Sequence, residues 1–402
     1  MNNAEQSNRE YDVVIVGGAM AGATLALTLD TLAKGTLSIA VIEAVEPNVH
    51  THPGYDSRSI ALSYGTVRLL ESVGLWSSIK PAATAIKQIH ISDRGHFGQC
   101  KLDATSVGVD ALGYVVELSD VGSFYHHELQ QRKQIDLFCP VTIKDIERTE
   151  SSCVVTLSND DKIVSSLLVA ADGGDSLSCQ LLQHETHHRN FEQTAIIANV
   201  SSEVPHSGKA FERFTEHGPI ALLPMSEGRN SLVWCLKPDD AAEIMTLNEP
   251  QFLAKLQQAF GWRLGELTHT GHRVSYPLVL KQVSPCVSHR FAVVGNAAQA
   301  LHPIAGQGFN LGIRDVFTLA EEMISAKKNA FDIGDYSVLN RFMQRREADR
   351  HATITMTSGL LSIFANQYWP LVAGRNLSLS VSNHFQTLLT PLTHRAMGEV
   401  KR

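Results

Sequence analysis

Apolar and polar positions change period several times along the chain, and each change marks an element. Tyr11 to Val16 is a short β-branched run; Gly17, Gly18 and Gly22 then lead into a segment, MAGATLALTL, with helical spacing, and Ser38 to Glu43 is a second short apolar run. Strand, glycine turn, helix and strand in that order predict the opening βαβ unit of a dinucleotide-binding domain. Glu46 to Tyr64 breaks the pattern into a polar loop with Pro and Gly, long enough to predict a working loop. A helix follows at 65–73, residues 86–92 alternate as a half-exposed strand does, and 120–132 is helical again. Runs at 141–146, 154–157 and 163–171 predict strands returning to the first sheet. From Gln193 to Leu236 four alternating segments (TAIIANVS, KAFERFT, PIALLPM, SLVWCLK) are separated by turn residues, which predicts an antiparallel meander with one face free to wall a pocket. Helix 249–260 and strands 269–276 and 290–294 carry the chain back, and from Tyr336 onward it reads as helical. The expected architecture is α/β: a Rossmann-like nucleotide domain, an inserted, mostly antiparallel β-sheet domain and a helical C-terminal region.

The length of 402 residues suits two or three domains or subdomains, and 44% hydrophobic with 19% charged residues places the chain in the globular class. A net charge of −7 without a long basic run argues against nucleic acid as a partner. Six cysteines are scattered with no C-x-x-C pair, which argues against a disulfide framework or zinc knuckle and fits a reducing cytoplasm. The apolar stretch from Tyr11 to Leu29 holds Asp12 and three glycines, so it does not read as a signal or membrane span. His184, His187 and His188 lack carboxylate or thiol companions, so no metal is expected and a solvated surface is the reading.

The first turn reads Gly17-Gly18-Ala19-Met20-Ala21-Gly22, a G-x-G-x-x-G pattern with alanine at its middle glycine. That glycine normally admits a pyrophosphate against the backbone, so Ala19 is a departure that could weaken the contact. Glu43 ends the next strand about twenty residues on, where a carboxylate accepts from ribose hydroxyls and repels a 2′-phosphate. An ADP moiety without that phosphate, as in FAD or NAD, is the expected ligand; a turn that only packs helix on strand is the alternative.

Two further glycine-rich turns bear on that choice. Asp172-Gly173 follows the strand at 163–171, and the segment VGNAAQALHPIAGQGFNLGIRD begins at Val294 after the last predicted strand. With these stations the chain resembles the aromatic-ring hydroxylases, the FAD monooxygenases of the para-hydroxybenzoate hydroxylase fold, and within them the ubiquinone-biosynthesis hydroxylases. The resemblance runs end to end and is carried by VGGAMAGATLAL, HPGYDSRSIAL, SDRGHFG, VVEL, AFERFTEHGPIALLPM, SLVWC, FGWRLG and the segment from Val294. It implies that residues 1–185 form the first part of an FAD-binding domain, with a strand near 86–104 contributed to the substrate domain. It further implies a substrate-binding sheet at 186–276, a second FAD-binding part at 277–335 and the helical region at 336–402.

By the same resemblance, Gly17 to Gly22 and Glu43 hold the ADP half, Asp172 and Gly173 lie near the pyrophosphate, and Arg58 lies near the flavin. Gly295 and Asn296 meet the ribityl and pyrophosphate region. The family commonly has Gly-Asp there, so Asn296 keeps an acceptor and loses a charge. Pro303, Gly306, Gln307, Gly308, Phe309 and Asn310 face the flavin ring, with a helix starting near Gly308 whose N–H groups point at the ring's N1 and C2 carbonyl. The neighbouring His302 reads as a packed histidine rather than a base, and Asp315 as a solvated helix position. Phe211, Phe214, Pro219, Leu222, Leu223 and Pro224 are candidate pocket lining.

No Ser-His-Asp set, metal set or reactive-cysteine context is visible, so the hard chemistry is expected from the cofactor. The resemblance implies that NAD(P)H reduces FAD as a transient co-substrate, and that O2 adds to give a C4a-hydroperoxide which hydroxylates a prenylated phenol. Only one dinucleotide turn is present, so the nicotinamide nucleotide has no Rossmann domain of its own. The apolar tail from Gly359 to Val381 packs on the flavin domain or meets a membrane or another protein of quinone biosynthesis, which would make the protein cytoplasmic and peripheral to the inner membrane. Rivals remain at this stage: a flavin dehydrogenase or reductase of an isoprenoid, a sibling hydroxylase acting at another ring position, and a flavin-bound scaffold.

Overall fold

The computed structural model describes residues 9–46, 58–366, 368–384 and 393–400. The site is built by β1 (Arg9–Val16), α1 (Met20–Ala33), β2 (Ile39–Ile42), β3 (Ser59–Ser63), β4 (Gln88–Asp93), β5 (Gln99–Asp103), β6 (Ile135–Phe138), β7 (Lys162–Ala170) and β8 (Thr186–Ser202). The chain continues through β9 (Lys209–Phe214), β10 (Pro219–Pro224), β11 (Asn230–Leu236), α2 (Pro238–Thr246), α3 (Glu249–Phe260), β12 (Val274–Val283) and β13 (Phe291–Val293). The long helices α4 (Gln307–Lys328), α5 (Tyr336–Ala365) and α6 (Trp369–His384) follow.

One sheet has the parallel order β13-β7-β1-β2-β6, with antiparallel strands added at its side. Its central strands are apolar on both faces because both are covered: Val13 to Val16 of β1 are all buried, as are all four residues of β2. On one face α1, α4 and the N-terminal part of α5 enclose Ile15, Leu25, Leu27, Val169, Ile313, Leu319 and Phe342. Such a parallel sheet gathers its ligand turns at the C-terminal strand ends. The glycine turns after β1, β7 and β13 lie there together, with Ala171 N donating to Val16 O at 2.7 Å and Val294 N to Ala170 O at 3.0 Å.

The second sheet runs β12-β8-β11-β10-β9-β4-β5 through its long strands. The expected meander is corrected here. β9, β10 and β11 do follow one another, but β8 pairs with β11, and β9 lies parallel to β4, whose residues come from far upstream. The alternation specifies which side chains face the core, not which strand lies alongside; residues 203–208 carry the chain across the sheet. One face packs under α2 and α3 through Phe211, Ile220, Leu222, Leu232 and Trp234. The other, carrying Ala210, Glu212 and Phe214, looks toward the first domain. The fold is thus an FAD-domain α/β architecture with an inserted, mostly antiparallel sheet and C-terminal helices.

Candidate active site

The first station is shaped by steric necessity. Gly17 has φ +100, and a Cβ there would come within 2.4 Å of Ala171 O; a Cβ at Gly22 would come within 1.8 Å of Gly17 O. Ala19 needs no such freedom: it is the residue before α1, at φ −76, where alanine is unstrained. The alanine at the middle fingerprint position therefore adds a methyl group without distorting the turn. Neither a side-chain cap nor an acidic residue occupies the first turn of α1, so its leading N–H groups and partial positive charge are left for an anion. Glu43 accepts from Gly18 N at 2.6 Å and from Val45 N at 3.0 Å, which fixes its carboxylate beside the turn.

The other two stations close on the first. Asp172 accepts from the backbone N and hydroxyl of Ser178 at 3.0 and 2.9 Å and so braces its own turn, while Gly173, at φ +87, faces open space. Gly295, at φ +63, sits where α1 and α4 converge: a Cβ on it would lie 2.7 Å from Ala21 Cβ, and one on Gly312 would lie 2.9 Å from Gly295 Cα. Asn296 is exposed on the same rim. Arg58 is half-buried just before β3, and its carbonyl accepts from Leu118 N at 2.9 Å. Most of the loop expected to place it lies outside the described residues.

The third segment, the one expected to face the flavin ring, is a turn held from behind. Pro303 and Ile304 lead to Gly306, at φ +59 and packed toward Ala61 of β3, and α4 begins at Gln307 without a side-chain cap or an acidic first turn. Gln307 is buried, with Nε2 donating to Ala396 O at 3.3 Å; Gly308 has no close neighbour other than Leu301, and Phe309 packs on the main core. The Asn310 side chain is committed to the protein: Oδ1 accepts from Ser63 N and Thr66 Oγ1 at 2.8 and 2.7 Å, while Nδ2 donates to Ala61 O and Gly306 O at 2.8 and 2.7 Å. It fastens the turn to β3.

FAD fits these residues. Two uncapped helix N-termini, one behind the first turn and one behind the last, offer fixed positive potential of the kind that suits a pyrophosphate and a reduced flavin ring. The close glycine contacts leave backbone where side chains would otherwise fill the cradle.

Two side-chain assignments need correction or extension. Asp315 is not solvated: it is fully buried, accepting from Arg346 Nε at 2.7 Å, Gln299 Nε2 at 2.7 Å and Arg350, while Arg314 pairs with Asp349 at 2.7 Å. Charge on α4 is legible in sequence, but the cationic face of α5 that covers it is not. His302 is packed, as expected, at 1% exposure. Its Nδ1 accepts from Ile304 N at 3.2 Å, so Nε2 carries the proton and donates to Gln193 Oε1 at 3.0 Å. Burial lowers its pKa to about 4.

Gln193 stands at a bulge in β8, where the register shifts between Asn190 and Gln193 and Glu192 has φ +55. The bulge opens a cleft of about 240 Å³ lined by Phe191, Gln193, Phe214, Pro219, Leu361 and Phe364 among others. Phe214 and Phe364 stack with ring centroids 3.7 Å apart and pack with Ile304 of the ring-facing turn. Of the candidate lining, Phe214 and Pro219 border this cleft, whereas Phe211 and Leu222 point to the opposite face and form core beneath α2 and α3. The tail divides similarly: Phe364 is buried, while Ile363, Trp369, Leu371, Leu377 and Val381 are exposed.

The FAD binding domain family model matches residues 10–348. The chain belongs to that family. Ubiquinone hydroxylase UbiL of Rhodospirillum rubrum is 32% identical over 400 residues, covering 98% of this chain and 91% of that one. The 3-demethoxyubiquinol 3-hydroxylase of Escherichia coli is 28% identical over 396 residues, with 98% and 100% covered. Among solved structures, p-nitrophenol 4-monooxygenase PnpA from Pseudomonas putida superposes with a TM-score of 0.80 at 16% identity, covering 97% of this chain and 98% of its own, a likeness of fold. The protein is an FAD-dependent hydroxylase of the ubiquinone hydroxylase group.

Proposed function

We propose that this hydroxylase adds a hydroxyl group to the ring of a polyprenylated phenol in ubiquinone biosynthesis, with NAD(P)H as electron donor and O2 as oxygen source. The observation that carries this reading is the end-to-end similarity to ubiquinone hydroxylase UbiL, which extends across both sheets and the C-terminal helices. Bound FAD supplies the oxygen-transfer chemistry; the protein's part is to bind, orient and exclude water. Gly17 to Gly22, Glu43, Asp172, Gly173, Gly295 and Asn296 hold the nucleotide and ribityl portions, and the turn from Pro303 to Phe309 faces the ring. The aromatic and aliphatic walls of the cleft beside Phe214 and Phe364 suit an apolar phenol.

Work at the inner-membrane surface, from the cytoplasm, fits such a substrate. No helix among the described residues is long and apolar enough to cross a membrane. Helix α6 is instead turned inside out: Arg375 and Asn376 are buried on Asp93, while Trp369, which is 75% exposed, and Leu377, at 61%, face outward. The similarity to 3-demethoxyubiquinol 3-hydroxylase favours, as second reading, a sibling reaction at another ring position.

The test is to load the purified protein with FAD and follow NAD(P)H oxidation, O2 uptake and isotopic oxygen in the product, with 2-prenylphenol as a short-chain probe. Phenol-stimulated oxidation and one labelled oxygen in the product are expected, and the product fixes the ring position. A flavin-loaded protein whose NAD(P)H oxidation ignores the phenol would refute the reading and support the flavin-bound scaffold.

A further inference from the structure

Glu212 is a carboxyl group in an apolar wall. It lies on the inner face of β9, with Ile91 of β4 on one side and Ala221 of β10 on the other. It takes no hydrogen bond or salt bridge from any described residue, and burial alone accounts for its displaced pKa. Half-buried by area yet surrounded by protein, it stands on the face of the sheet turned toward the flavin domain.

Neighbours two residues away on the same face define what that face adjoins. Phe214 packs with Ile304 of the ring-facing turn, and Ala210 packs with Val115 and Met225 in a cluster that also takes in Ala61 and Leu223. Ala61 is the residue against which Gly306 is packed. Glu212 therefore lies between these two contacts, on the face of the sheet turned toward the segment 304–306. A carboxyl group without a partner in an apolar setting costs stability unless a ligand supplies the bond.

We infer that Glu212 is the acid–base residue of the hydroxylation, receiving the proton from the hydroxyl of a phenol held between the sheet and the ring-facing turn. This rests on the phenolic substrate proposed above. The step is a proton transfer alone: the phenol O–H bond breaks, a carboxyl O–H bond forms, and the electron pair left on oxygen enriches the ring for attack by an electrophilic oxygen. Burial raises the Glu212 pKa to about 8, closer to that of a phenol, about 10, than an ordinary carboxyl group is. The titratable group facing it from β11 is Cys235, itself raised by burial and by Glu212. From β4 the nearest is Asp93, which Arg375 engages at 2.8 Å.

The test uses the FAD-loaded full chain with 2-prenylphenol. In the wild type, kcat/KM should rise about tenfold per pH unit up to about pH 8 and then level off. Glu212→Gln should lower it by about 10²–10³-fold and erase that limb, with FAD content retained and Glu212→Asp restoring part of both. An independent readout is the near-UV difference spectrum of bound 2-prenylphenol: the adjacent carboxylate opposes a second negative charge, so the phenol should ionise at higher pH in the wild type than in Glu212→Gln. A Glu212→Gln enzyme with wild-type rate and pH limb would overturn the assignment. So would a wild-type kcat/KM that stays flat between about pH 6 and pH 9, a result that stands even if the variants fail to fold. If instead no phenol stimulates NAD(P)H oxidation while the bound phenol still ionises at higher pH in the wild type than in Glu212→Gln, the failure lies with the proposed function and not with Glu212.

Discussion

Replacing His302 with asparagine tests the packed, neutral histidine behind the ring-facing turn. The imidazole is satisfied only when uncharged, since Nδ1 must accept from Ile304 N and Nε2–H must donate to Gln193. Its pKa falls from 6.5 to about 4 in the fold. The sign follows directly: below pH 6.5 the unfolded chain takes up a proton that the native state refuses, so acid favours unfolding. Each pH unit in that window costs about 1.4 kcal/mol, and the full interval down to about pH 4 costs about 3.4 kcal/mol. Asparagine can keep the acceptor for Ile304 N but cannot titrate. It loses the Gln193 bond and some packing, together about 1–2 kcal/mol at pH 7. Urea unfolding of FAD-saturated wild type and His302→Asn should therefore show a gap at pH 7 that narrows by about 2 kcal/mol on going to about pH 5. A gap that stays constant across that range would show that His302 is not held neutral, and the reasoning from its burial would fail.

Gly22→Ala places a methyl group 1.8 Å from Gly17 O, against backbone that cannot yield, so the purified protein should lose its flavin absorbance and unfold at lower temperature. Glu43→Gln keeps an acceptor for Gly18 N but removes the charge, which should weaken FAD binding about tenfold in a flavin fluorescence titration; an unchanged Kd would remove Glu43 from the site. Asp315→Asn leaves Arg346 and Arg350 under-neutralised in the interior and should cost about 3–5 kcal/mol in urea unfolding, with a loss below about 1 kcal/mol counting against the buried network.

What the sequence reveals here is set by how local each feature is. The β1 turn, α1 and Glu43 lie within one βαβ unit, where strand period, glycine spacing and an acidic strand end are all near neighbours, so the shape of that turn is readable without tertiary information. The start of α4 is similarly local: the expected position near Gly308 and the observed Gln307 differ by one residue. The pairing of His302 with Gln193 joins residues 109 positions apart, and no periodicity records it. Asp315 reads as exposed because the arginines that bury it stand on another helix. Glu212 is hidden in a different manner: in KAFERFT a charged residue at an alternating position looks like the wet side of a strand. It is the flavin domain lying over that side that makes the position an interior one. Strand order failed for the same reason, since β8 and β11 are brought together by the sheet and not by the turns between them.

The ion pairs between α4 and α5 bear on how the gene can be edited. Helix α4 carries the ring-facing turn at one end and, within its first three turns, Arg314 and Asp315, whose countercharges Arg346, Asp349 and Arg350 all come from α5. The last sixth of the polypeptide is therefore not an appendage that can be trimmed for expression or replaced by a fusion partner. A chain stopped before Tyr336 would leave two opposite charges without their partners inside the body that holds the cofactor. Shortening beyond α5 carries its own cost, because it would strip Asp93 of Arg375 and Asn376 and Gln307 of Ala396 O.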